Sequence, residues 1–267
     1  MKLRKFLMTS AVLAVSTLSY SMAAEVISPE DWKLYQEGIN PGEIFAEEVG
    51  GKLFNKPMGP EGKSCASCHT NKDGEVEERV ATAAAYYPKY VSSCGKVINL
   101  EQRIQLCQAK YQKVKPFSLK SKENVALTTY LYYLAAGTPI KIDLSDPRVK
   151  EYYEYGRYIF TLKRGKRNLA CQVCHEFAAG KILRMQPLYP LGTKAINGEP
   201  GRASASLWPA FRMTKNKVQT LQQRFQGCQK QGGQKKLPLG SKEMVALEVY
   251  VKALSNGVKL KTPALRR

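Results

Sequence analysis

Cys65-Ala-Ser-Cys68-His69 and Cys171-Gln-Val-Cys174-His175 are the residues of this chain best arranged for chemistry. Two thiols at this spacing can add across the vinyl groups of a haem, and the histidine that follows is placed to bind its iron. One such pentapeptide is a modest signal, since a redox or zinc-binding Cys-x-x-Cys can precede a histidine by chance. Here it occurs twice, and the only two histidines of the 267-residue chain, His69 and His175, both sit in it. Zinc would need further Cys or His ligands grouped near each pair. The reading is therefore two covalently bound haem c groups. Cys65 and Cys68 attach one and Cys171 and Cys174 the other, with His69 and His175 as iron ligands.

Each iron then needs a sixth ligand or an open position. Methionine is a common choice, yet no Met occupies matching places in the two halves, and Met185 and Met213 have no counterpart after His69. What recurs is Cys107 and Cys228. A buried thiol is ordinarily a packing residue. Two at homologous places, in units with no other shared soft ligand, point to His/Cys ligation of both irons. Ferric iron would keep each thiol deprotonated, and the anionic ligand would lower the potential. Arg103 and Arg224 stand four residues before these cysteines, one helical turn, and so share a face with them. Arg103 also reads as a solvated charge. Arg224 adjoins the pair Gly227-Cys228, which trims bulk around the sulfur, and could hold a dianion and lower the sulfur pKa. Cys94, the seventh cysteine, reads as a free thiol, an intermolecular disulfide partner or a rival to Cys107. The repeat favours Cys107, because the counterpart of Cys94 is Lys215.

The elements that must position these groups also come in pairs. Gly50, Phe54 and Cys65 have the mutual spacing of Gly156, Phe160 and Cys171. Leu100 to Gln108 matches Leu221 to Gln229, and Ser121-Lys-Glu123 to Leu127 matches Ser241-Lys-Glu243 to Leu247. A match this long marks a duplicated domain. Ser121 and Ser241 read as N-caps with an acid in the first turn, followed by largely helical apolar faces that Gly137 and Gly257 close. The predicted fold is mainly α, with two tandem cytochrome c-like domains at residues 24–147 and 148–267. The boundary falls in the polar stretch Ile140 to Pro147. Between the haem histidine and the repeated cysteine the second unit is longer than the first. Its extra residues, with Gly192, Gly198, Pro200 and Gly201, predict a long loop over the second haem.

Residues 1–23 read as a signal peptide. Lys2, Arg4 and Lys5 form a basic start, Phe6 to Leu18 is apolar, and Ser21-Met22-Ala23 is a small-residue cleavage site. Covalent haem attachment outside the cytoplasm agrees with export, which places the protein in the periplasm. No second apolar run is long enough to span a bilayer, so the mature chain carries no membrane anchor. Its net charge of about +17 favours anionic substrates or acidic partners. Export argues against nucleic acid, the usual alternative for a basic chain.

The paired haem motifs, the repeated Cys107 and Cys228, and the segment Arg224-Phe-Gln-Gly-Cys228-Gln followed by Leu239-Gly-Ser-Lys-Glu243 resemble the SoxA family over essentially the whole mature chain. That family supplies the di-haem subunit of the SoxAX cytochrome of periplasmic thiosulfate oxidation. The resemblance implies His/Cys ligation of the first haem and, at the second, His plus a cysteine that carries a persulfide, here Cys228. It implies that Arg224 contacts substrate. It further implies a mono-haem SoxX partner, a SoxY–SoxZ carrier whose cysteine receives the sulfur, and an L-cysteine S-thiosulfotransferase activity on thiosulfate. Many members keep only the second haem, whereas this chain has both motifs. Two other readings stay open: a di-haem thiosulfate dehydrogenase that forms tetrathionate, and a cytochrome that only transfers electrons.

Overall fold

The computed structural model describes residues 37–183 and 186–266, so the signal-peptide expectation and Met185 lie outside the described residues. The first unit opens with a continuous helix, α1 (residues 41–55), in which the wide turn Ala46–Gly51 joins two α-helical pieces. Asn40 caps it by accepting from the Gly42 amide, with Pro41 at its first position. A short hairpin follows, β1 (Lys89–Val91) against β2 (Lys96–Ile98), then α2 (Leu100–Cys107) and α3 (Lys122–Leu134).

The second unit repeats the order. It has α4 (Pro147–Thr161), the hairpin β3 (Ala210–Arg212) with β4 (Lys217–Gln219), α5 (Leu221–Gln231) and α6 (Lys242–Ala253). A last strand, β5 (Ala264–Arg266), joins β3 in parallel and has no equivalent in the two-stranded sheet of the first unit. Ser121 and Ser241 cap α3 and α6 by accepting from the amides of Asn124 and Met244, and Gly137 and Gly257 follow with φ of +84° and +83°. The caps and closures expected from the repeat are therefore present in both copies. The hairpins, only three residues per strand, carry no sequence signal strong enough to announce them.

Within each unit the first and last helices cross at a glycine. A Cβ on Gly50 would lie 2.3 Å from the Ala126 carbonyl oxygen, and one on Gly156 would lie 2.0 Å from that of Ala246. Next to each crossing an aromatic pair fills the gap, Phe54 on Tyr130 and Phe160 on Tyr250, with ring centroids 5.3 and 5.2 Å apart. This is what the recurring Gly-x-x-x-Phe spacing encodes: close approach at the glycine and an aromatic wedge one turn on.

One hydrophobic core runs through both units, from Phe54 and Leu127 to Phe160 and Leu247. Residues after the two terminal helices pair with their own repeat equivalents across the junction. Gly137 N–H donates to Leu260 O at 2.9 Å and Gly257 N–H to Ile140 O at 2.8 Å, with Pro139 opposite Lys259. Deeper in the junction, Lys252 Nζ donates to Ala84 O (2.8 Å) and lies 3.0 Å from Tyr132 Oη. Glu248 Oε2 accepts from Asn99 Nδ2 (3.1 Å) and Gln222 Nε2 (2.8 Å). Among the described residues no helix is long and apolar enough to cross a membrane.

Candidate haem and sulfur site

The first motif sits on a single turn, Ala66–His69, with Cys65 as the residue before it. Ser64 steadies this turn by accepting from the Ser67 amide at 2.9 Å. Cys65 packs against the core while Cys68 is exposed. Opposite stands α2, which carries Arg103 and Cys107. Its start is fixed by a reciprocal cap in which Asn99 Oδ1 accepts from the Gln102 amide and Gln102 Oε1 accepts from the Asn99 amide. Between them lies a cavity of about 270 Å³ that Cys65, His69, Arg103 and Cys107 line together with Phe54 and Leu127.

Burial pushes the Cys65 thiol up to about 11, with Cys107 and then Cys68 adding to it. Cys107 is also raised by burial, which Arg103 opposes. Burial first, then Arg79, lowers His69, which keeps its imidazole neutral, and its Nδ1 is buried with no hydrogen-bond partner among the described residues. Among the described residues no three His, Cys, Asp or Glu side chains converge as a metal-ion cage. The donors are instead spread around a slot whose walls are largely apolar, with Arg79, Lys89 and Arg103 among its lining. Cys65, Cys68, His69 and Cys107 would hold a haem there, and a metal cation would favour the thiolate of a thiol so buried.

The second motif follows the same plan. Burial pushes Cys171 up to about 12, with Cys228 adding to it, and raises Cys174, again with Cys228 adding. Cys228 on α5 thus faces both attachment thiols, as Cys107 faces Cys65. His175 lies 2.9 Å from the Tyr189 carbonyl oxygen through Nδ1, which must donate to it, leaving Nε2 free for a metal. Tyr189 comes from the lengthened loop, so this loop meets the second motif on the side of the histidine. Arg224 stands one turn before Cys228 on α5, and space beside Gly227 is open, with nothing within 4 Å of a Cβ built there.

The structure thus brings together every site residue expected from the sequence. Cys65, Cys68, His69 and Cys107 gather at the first slot, and Cys171, Cys174, His175, Arg224 and Cys228 at the second. Cys94 stays apart from the first cavity, on the turn of the β1–β2 hairpin, where its thiol donates to Val91 O at 3.4 Å. Met213 packs with Phe45, Phe211 and Leu265 in a small satellite cluster.

Sequence reasoning missed four residues of the second site. Besides Tyr189 there is Trp208, buried at 6% exposure. The guanidinium carbons of Arg212 and Arg224 lie 5.9 and 6.0 Å from its ring. Arg212 and Arg266 are the others. A comparison of the two halves would have picked out Arg212, whose first-unit equivalent is Val91.

The SoxA/TsdA cytochrome c domain family matches residues 49–140 and 199–260. The chain is 32% identical over 228 residues to the L-cysteine S-thiosulfotransferase subunit SoxA of Pseudaminobacter salicylatoxidans, covering 85% of this chain and 74% of that protein. It is 32% identical over 246 residues to the subunit of the same name from Hydrogenobacter thermophilus, covering 92% and 89%. In fold it is similar to a chain of the SoxXA crystal structure from P. pantotrophus, with a TM-score of 0.75 and 23% identity, covering 91% of this chain and 85% of that one. A repeated helical scaffold built around Cys-x-x-Cys-His turns, and relatives alike over nearly its whole length, place this chain in the SoxA family of c-type cytochromes.

Proposed function

We propose that this chain is a periplasmic di-haem cytochrome that joins thiosulfate oxidatively to a cysteine of a SoxY–SoxZ-type sulfur carrier. A carrier thiol and thiosulfate form one sulfur–sulfur bond, releasing one proton and two electrons. Cys65, Cys68, His69 and Cys107 would hold one haem c, and Cys171, Cys174, His175 and Cys228 would hold the other. When bound, haem supplies an acceptor for electrons, which leave towards a SoxX-type mono-haem partner.

The protein's own groups do the rest. Tyr189 O fixes the His175 tautomer by accepting from its Nδ1, which would leave Nε2 for the iron. Cys228 offers a soft sulfur contact at an open face, and Arg224 on the same helix face holds the anionic oxygens of thiosulfate through charge-assisted hydrogen bonds.

The observation that carries this reading is the convergence at the second motif of Cys228, beside the attachment thiols, and Arg224, one turn before it on α5 and beside His175. The test is carrier-dependent consumption of thiosulfate by the haem-loaded protein and its Cys228→Ala variant. Loss of coupling in the variant, with two haems still attached, is the expected result. Undiminished carrier-dependent turnover in Cys228→Ala would refute the catalytic assignment. Tetrathionate formed without carrier would make the protein a thiosulfate dehydrogenase, and no sulfur chemistry at all would leave it an electron carrier.

A further inference from the structure

Arg212, Arg224 and Arg266 cluster at the second sulfur site, and of these only Arg224 has a repeat counterpart. Arg212 ends β3 where the first unit has Val91, and Arg266 lies beside it in register on β5, the strand the first unit lacks. The Arg212 Nε is buried and has no hydrogen-bond partner among the described residues, while its Nη2 lies 3.4 Å from Thr214 Oγ1. Arg266 Nη2 donates to the Tyr189 hydroxyl at 2.5 Å. Among the described residues none of the three pairs with a carboxylate. Burial, then Arg224, then Arg266 pull Arg212 down to about 10, and Cys228 opposes them. Uncompensated guanidinium groups crowded round one thiol raise the free energy of the empty site, and a bound anion relieves it.

We propose that Arg212 and Arg266 are further substrate-binding residues that, with Arg224, hold the oxygen-bearing end of a thiosulfate-type dianion beside the Cys228 sulfur. They confine sulfur chemistry to the second unit. This rests on the thiosulfate reading above. A sulfonate-like end presents three acceptor oxygens, and guanidinium groups present planar forks of donors that match them from different sides. With its oxygens held there, the terminal sulfur of the dianion is left to face Cys228. Tyr189 is the positioning residue: its carbonyl orients His175 and its hydroxyl holds Arg266, so one residue ties the anion site to the haem histidine.

The test is thiosulfate binding to the full haem-loaded chain, measured by titration calorimetry, alongside KM in the carrier assay. Arg212→Gln and Arg266→Gln should each bind thiosulfate about 10- to 100-fold more weakly, the effect of one lost charge-assisted hydrogen bond. Arg212→Lys should fall between them and the parent. Haem content and absorption spectrum should stay those of the parent, which shows that the fold is kept. Arg157→Gln, which removes an exposed arginine paired with Glu154 at 2.9 Å, should bind as the parent does. Binding within about twofold of the parent in both Gln variants, or an equal loss in Arg157→Gln, would overturn the assignment. A parent that binds thiosulfate through these arginines yet never couples it to a carrier would refute the proposed function and leave this binding assignment standing. A parent that couples normally, with KM unmoved in both Gln variants, would do the reverse.

Discussion

Lys252→Met tests how firmly the two repeated units are joined. Lys252 is fully buried on α6 and reaches across the junction to Ala84 O and the Tyr132 hydroxyl. Burial pulls its pKa down to about 8, with Glu248 and then Glu101 opposing, so at pH 7 it is mostly a cation. Methionine fills a similar volume but donates to neither oxygen, and it leaves Glu248 with only its two amide donors. Losing a charge-assisted donor to two buried oxygens costs about 1.5–3 kcal/mol for each, on the order of 3–6 kcal/mol together, and it also removes the cation that opposes the rise of the buried Glu248. With a urea dependence of about 3 kcal/mol per molar, the unfolding midpoint should drop by roughly 1–2 M. The assay is urea unfolding of the haem-loaded chain followed by far-UV circular dichroism. Glu248→Gln added to Lys252→Met should restore part of the loss, since a neutral amide can still accept from Asn99 and Gln222 and no longer needs the cation nearby. A single variant within about 0.3 M of the parent, or a double variant worse than the single, would refute the view that this lysine clamps the junction.

Two further outcomes follow from the geometry. Cys107→Met should change the electron paramagnetic resonance signature of the first haem alone, and Cys94→Ser should leave both haems unchanged; the opposite pattern would assign ligation to Cys94. Glu101 is pushed up to about 8, by burial first and then by Glu248, from the 4.5 expected in the unfolded chain. Its folded-state proton therefore stabilises the protein fully below pH 4.5, and that contribution is lost as pH rises towards 8. Glu101→Gln should flatten the decline in stability across this window, and an unchanged slope in urea titrations at several pH values would count against it.

Much of the site was legible because covalent haem chemistry demands a fixed local spacing. The same holds for Cys107 and Cys228, which stand out because the chain offers a second copy to compare. The glycine crossings were visible as Gly50 and Gly156, for only glycine tolerates a carbonyl that close. What stayed hidden depends on long-range contact. Tyr189 sits in residues the first unit lacks, Arg266 reaches the site only because β5 pairs with β3, and Trp208 acts through a ring face. The repeat identified 137–140 and 257–260 as equivalents but gave no sign that they pair with one another.

That self-pairing gives the two units the relation of partners in a symmetric dimer: the hydrogen bond from Gly137 to residue 260 is mirrored by one from Gly257 to residue 140. In a dimer of identical chains, a residue on the axis must face its own copy, and a lysine there would meet a lysine. Positions 132 and 252 are repeat equivalents that meet across this axis, yet one is tyrosine and the other lysine, hydrogen-bonded at 3.0 Å. Joining both units in one chain removes the demand for self-complementarity. It lets a donor be set against an acceptor at the axis, and by the same freedom lets Arg212 and Arg266 gather beside one cysteine motif without equivalents at the other. Asymmetry at the junction and asymmetry between the two cysteine motifs are two results of the same covalent link.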